Sequence, residues 1–131
     1  MSVPDDVVDR VAGQPYSAFL ATTVDDRPHV APVWYLYDDG HVRFFTRGRK
    51  LANIRRNPRV ALAIEGADGA WLAVLRGTAT VREDETLRLA VADRLFGQYL
   101  DDDGEAYRDA DGNPQGALVD VEVGSTTLRE G

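Results

Sequence analysis

A mainly β fold is what this sequence predicts: about six antiparallel strands forming a small barrel, with two or three helices outside it. Three observations carry the expectation. Short runs rich in β-branched and aromatic residues follow one another with only tight-turn signals between them. No helix-length segment separates the first three runs, as parallel strands would require. A glycine, Gly77, interrupts the longest run, where barrel closure needs a bend or bulge.

The elements follow in order. Val7, Val8 and Val11 stand at helical spacing behind Pro4, which a first helical turn tolerates, so Asp5 to Ala12 reads as a short helix. Ser17 to Val24 is a strand, Asp25-Asp26-Arg27 a turn, and Pro28 to Tyr37 a second strand. Asp38-Asp39-Gly40 closes a hairpin, because Gly supplies the positive φ a tight turn needs, and His41 to Thr46 is the third strand. After Gly48, Leu51 and Ile54 share one face of a short helix that Pro58 stops. Arg59 to Glu65 alternates large and small apolar residues, as in a strand covered on both sides. Ala67-Asp68-Gly69 turns into a long strand, Ala70 to Val81. Asp84 caps a helix with Leu87, Val91, Leu95 and Tyr99 on one face. Asp101 to Gly116 is rich in Asp and Gly and reads as a surface loop. A last strand, Ala117 to Val123, places its valines inward and Asp120 and Glu122 toward solvent.

At 131 residues the chain has the length of one domain, spanning 1–131. It lacks cysteine, which removes disulfides and thiolate metal sites and fits a reducing compartment. The polar, acidic start from Met1 to Arg10 has no apolar run resembling a signal peptide or membrane span, so a cytoplasmic protein is expected. A formal net charge of -7 opposes a nucleic-acid or anionic-membrane partner. The basic residues are nevertheless clustered. Seven of the fifteen lie in one stretch, as Arg43, Arg47, Arg49, Lys50, Arg55, Arg56 and Arg59, and Lys50 is the only lysine.

Metal and nucleophile chemistry find no support. His29 and His41 lie on different strands without carboxylates at ligand spacing, and the acidic loops lack the glycine and closing glutamate of a calcium loop. Ser2, Ser17 and Ser125 sit in no nucleophile elbow, and there is no dinucleotide or P-loop glycine pattern. No catalytic acid or base stands out. By contrast, Thr46-Arg47-Gly48-Arg49-Lys50 runs from a strand end into a helix start, where free amides attract anions, and a phosphate fits there. In Ala31-Pro32-Val33-Trp34 the proline removes a ladder donor, so the strand is an edge or is interrupted, leaving backbone groups for a flat heteroaromatic ring. The Trp34 side chain lies near that ring or on the other side of the pleat.

Four blocks, Phe19 to Thr23, Arg27 to Trp34, Phe44 to Thr46 and Arg49 to Val60, together resemble the pyridoxamine 5'-phosphate oxidase-like split-barrel proteins. They are similar in particular to the small branch that binds FMN or the deazaflavin F-420. The resemblance implies a six-stranded split β-barrel of the FMN-binding type and a homodimer with cofactor sites at the subunit interface. It implies that Thr46, Arg49 and Lys50 hold the phosphate, with Arg47 and Asn53 beside them, and that Pro32, Val33 and Trp34 line the ring. Trp71 is the candidate contribution from a partner subunit. The implied activity is hydride transfer to or from a small molecule, with a non-catalytic flavin carrier and a haem-binding relative as alternatives. A carboxy-terminal motif for vitamin B6 substrates is missing, so that oxidation is not expected.

Overall fold

The computed structural model describes residues 3–130. In chain order these form α1 (Asp5–Val11), β1 (Ser17–Val24), β2 (Arg27–Trp34), β3 (Leu36–Asp38), β4 (His41–Thr46), α2 (Gly48–Arg56), β5 (Arg59–Glu65), β6 (Trp71–Arg82), α3 (Glu85–Tyr99) and β7 (Ala117–Glu130). The strands make one antiparallel sheet in the order β2-β1-β5-β6-β7-β4-β3. It curls into a half-barrel that brings β2 back against β4 without a hydrogen-bonded ladder between them.

The strand count is seven rather than six, because the expected strand Pro28 to Tyr37 is divided at Tyr35. On one side of the break the chain pairs with β1, ending at Ser17 opposite Trp34; on the other, Leu36 pairs with Arg43 of β4. At the break, α3 takes the place of the ladder. The Tyr35 N–H donates to the Tyr99 hydroxyl at 3.1 Å, and the Tyr35 carbonyl accepts from the Gln98 amide at 3.1 Å. Backbone groups are thus satisfied where the sheet changes partner.

β7 also differs from expectation. It runs on to Glu130 instead of stopping at Val123, because β6 is long enough to pair with it throughout, from Trp71 opposite Glu130 to Arg82 opposite Leu118. The register shifts between Arg76 and Gly77, the position expected to bend. A Cβ at Gly77 would lie 2.1 Å from the Glu122 carbonyl oxygen, so the close approach of the two backbones requires glycine.

The barrel interior is filled by Leu20, Phe44, Leu62, Ile64, Leu75 and Val121, and Val7 and Val11 of α1 pack into the same core. The Tyr35 hydroxyl donates to the Val11 carbonyl at 2.6 Å and ties α1 down. A second apolar cluster lies outside the barrel, where α3 sets Val91, Leu95 and Phe96 against Leu36 and Leu118. Asp84 caps this helix as expected, accepting from the Leu87 N–H at 3.2 Å.

Asp120 does not point to solvent as the alternation suggested, because side chains of the neighbouring strands β4 and β6 close over it. It is buried and bound by His41 at 2.8 Å, Arg82 at 3.2 Å and Arg43 at 3.6 Å. A buried carboxylate persists when cations and donors surround it. No helix among the described residues is long and apolar enough to cross a membrane.

Candidate functional site

The gap between β2 and β4 holds a cavity of about 420 Å³. The local sequence explains its walls. β2 ends the strand order, so Pro32 sits on an edge strand, where a missing donor is tolerated, and it pairs with Phe19. Across the gap, β4 delivers Phe45 and Thr46, and the chain then turns through Arg47 into α2. Gly48 opens that helix with φ of +69°, which favours glycine.

The structure gathers Pro32, Val33, Trp34, Thr46, Arg47 and Lys50 around this one cavity. Arg49 is exposed on the first turn of α2 and is not among the lining residues. Asn53 is engaged elsewhere, its side-chain amide donating to the Thr22 hydroxyl at 3.0 Å. Trp34 lies under α3, stacked on Tyr99 with ring centroids 4.9 Å apart and planes 14° apart, and one part of it lines the cavity. Trp71 packs edge-on against Tyr16 of its own chain at 5.5 Å.

Electrostatically the cavity is unlike the rest of the molecule. Its lining contains Arg47 and Lys50 and no carboxylate, although the chain carries 22 acidic residues. The amino terminus of α2 has no side-chain cap and no acidic residue in its first turn. Arg49 and Lys50 stand there instead, at the end of a helix dipole that favours negative charge, so their placement is costly without an anion. The Thr46 hydroxyl is buried without any hydrogen-bond partner. A phosphate in the cavity would meet the Arg47 and Lys50 cations on its wall.

The remaining wall escaped sequence reasoning. Leu95 and Phe96 of α3 line the cavity, as do Tyr107, Gln115 and Gly116 from the segment expected to be surface loop. That segment is fastened down. The Arg88 guanidinium donates to the carbonyls of Gly116 at 3.1 Å and Pro114 at 3.0 Å, and Arg47 reaches Gln115 at 3.4 Å. Leu95 carried a core signal only, and Tyr107 was the one aromatic in an otherwise polar stretch.

Two tyrosines beside the cavity are electrostatically perturbed. Burial pushes both the Tyr35 and Tyr99 phenols above their ordinary value. Neither histidine lines the cavity, and among the described residues no group of three or more potential ligands could hold a metal ion.

A curled antiparallel sheet with an anion-favouring cavity between its two ends defines a split-barrel protein. The family model for pyridoxamine 5'-phosphate oxidase matches residues 4–127, and the chain belongs to that family. Among solved structures it is similar to an F420 reductase, at 24% identity and TM-score 0.70 over 95% of this chain and 98% of that one. It is also similar to a conserved hypothetical protein, Rv2991, from Mycobacterium tuberculosis, at 23% identity and TM-score 0.79 over 98% and 84% of the two chains. An FAD-binding protein from Mesorhizobium loti matches at 19% identity and TM-score 0.71 over 100% and 97%. At these identities the likeness is one of fold. No curated protein matches the chain.

Proposed function

We propose that this chain is a flavin-type oxidoreductase that holds FMN in the cavity, with the phosphate on Thr46, Arg47 and Lys50 and the ring along Pro32, Val33 and Trp34. One observation carries the reading: Thr46, whose buried hydroxyl has no partner, lines the same carboxylate-free cavity as Arg47 and the Lys50 of an uncapped helix start. A flavin-type cofactor is supported further by the family and by relatives described as an F420 reductase and an FAD-binding protein. Arg49, exposed on the same helical turn, adds positive charge at that end of the cavity.

Between the two cofactors, the cation placement favours FMN. The longer polyanionic tail of F-420 calls for Arg47, Arg55, Arg56 and Arg59 along one groove, yet of the four Arg47 alone lines the cavity, and Arg56 pairs with Asp25 at 3.1 Å. When bound, such a ring supplies hydride transfer. The chain itself anchors the phosphate, orients the ring against an edge strand and limits water through the α3 wall.

A homodimer fits this reading. Phe19, Val30 and Leu72 are exposed on the outer sheet face, and Phe19 pairs with the cavity-lining Pro32, so a second copy on that face would reach the cavity rim. The test is an absorption spectrum and mass of ligand released from purified protein. Two visible bands and the mass of FMN are expected, whereas one dominant band would identify the deazaflavin. Protein that binds neither would overturn the proposal. Reduction of bound cofactor without turnover of any acceptor would mark a carrier.

A further inference from the structure

The wall formed by α3 and the 101–116 segment has a chemistry of its own. Three rings meet there: Tyr107 lies 5.3 Å from Trp34 and 5.8 Å from Phe96, nearly parallel to the latter at 28°. Phe96 is closed off from solvent, with Arg108 over its ring at 4.9 Å. Tyr107 is different. It is 44% exposed, and of the five large apolar side chains exposed among the described residues it is the one that lines the cavity.

The Tyr107 ring is presented from a fixed backbone. Its N–H donates to the Gly104 carbonyl at 2.8 Å, and its own carbonyl accepts from the Gln115 N–H at 3.0 Å. Gly104 in turn packs against Phe96 so closely that a Cβ there would lie 2.4 Å from the ring. A rigid aromatic held open at a cavity mouth binds flat molecules at little entropic cost. Charge narrows the class further, since Arg47 and Lys50 line the cavity and no carboxylate does. Cationic molecules are therefore disfavoured.

We propose that Tyr107, with Phe96, forms a subsite for a flat aromatic molecule, neutral or anionic, on the α3 side of the cavity, next to the Trp34 end given to the cofactor ring. The proposal rests on the cofactor reading only for what occupies the neighbouring end. Naphthol, naphthalenesulfonate and naphthylmethylammonium serve as neutral, anionic and cationic probes in equilibrium dialysis, with FMN-loaded and cofactor-free protein. Naphthol and the sulfonate are expected to bind more tightly than the ammonium compound. Tyr107→Ala should weaken naphthol about tenfold and FMN by about twofold or less, while Lys50→Ala does the reverse. Tyr107→Phe keeps the ring and should retain naphthol binding. Displacement of naphthol by FMN, a preference for the cation, or unchanged naphthol affinity in Tyr107→Ala would each overturn the subsite. Tyr107-dependent naphthol binding in a protein that takes up neither flavin would uphold it and defeat the cofactor reading alone.

Discussion

The Tyr99 hydroxyl accepts the Tyr35 backbone N–H and donates to the Tyr16 carbonyl, so one side chain of α3 bridges the point where the sheet changes partner. Replacing Tyr99 by phenylalanine leaves a buried N–H and a carbonyl unpaired. The expected cost is about 1 to 3 kcal/mol, read as a lower urea midpoint at unchanged slope. An unaltered midpoint would show that the hydroxyl does not hold the split.

Burial raises the Tyr35 and Tyr99 phenols, which fixes a pH dependence. Above the ordinary tyrosine range, near pH 10, the unfolded chain loses these protons while the folded chain keeps them. The stability that depends on them is complete below that range and falls as pH rises through it. The slope from each group approaches about 1.4 kcal/mol per pH unit. Urea unfolding measured from neutral to strongly alkaline pH should show this fall, and Tyr35→Phe should make it shallower. An equal slope in the variant would remove Tyr35 from the account.

Asp120 carries a second stability prediction. It is buried under His41, Arg43 and Arg82, and Asp120→Ala leaves those groups facing one another without their counter-ion. Arg82 and His41 retain some solvent, so the expected loss is about 2 to 3 kcal/mol, below that of a fully buried pair. Chemical denaturation measures it. A variant as stable as the parent would mean that Arg43 and Arg82 need no carboxylate.

How much of this was legible follows from where the determinants lie in the chain. Gly77, Asp84 and the Asp38-Asp39-Gly40 turn act through neighbours in sequence, and each could be placed before the fold was known. The break at Tyr35 could not, because Tyr99, whose hydroxyl accepts the N–H freed there, lies 64 residues further on. Asp120 shows the same limit: the alternation places it off the barrel core, but His41, Arg43 and Arg82, which enclose it, come from strands distant in sequence. At the cavity, Thr46, Arg47 and Lys50 fall within one short motif, and Pro32 to Trp34 within another. Tyr107 and Gln115 reach it through a polar segment whose folding depends on arginine bonds such as those of Arg88 to Pro114 and Gly116.

Gly77→Ala tests the bulge. The added methyl group would meet the Glu122 carbonyl at 2.1 Å, and backbone cannot give way as a side chain can. A loss of about 2 kcal/mol or more in thermal or urea unfolding is expected, on the scale of overpacking. A neutral substitution would mean that β6 and β7 can part there without cost.

Thr46 and Lys50 should separate stability from binding. The Thr46 hydroxyl is buried without a partner, so Thr46→Val removes an unsatisfied group while nearly keeping the shape of the side chain. The cofactor-free variant should be as stable as the parent or more so, by about 1 kcal/mol, because an unpaired buried hydroxyl is a penalty in the empty site. Its affinity for FMN should fall about tenfold, since the phosphate loses one donor. Lys50 is half-buried and in no ion pair among the described residues, so Lys50→Ala should weaken FMN binding about ten- to hundredfold. Fluorescence titration with FMN, paired with urea unfolding of the cofactor-free proteins, gives both quantities. Destabilised Thr46→Val with unchanged FMN affinity would make the hydroxyl structural, and Lys50→Ala with unchanged affinity would move the phosphate away from α2.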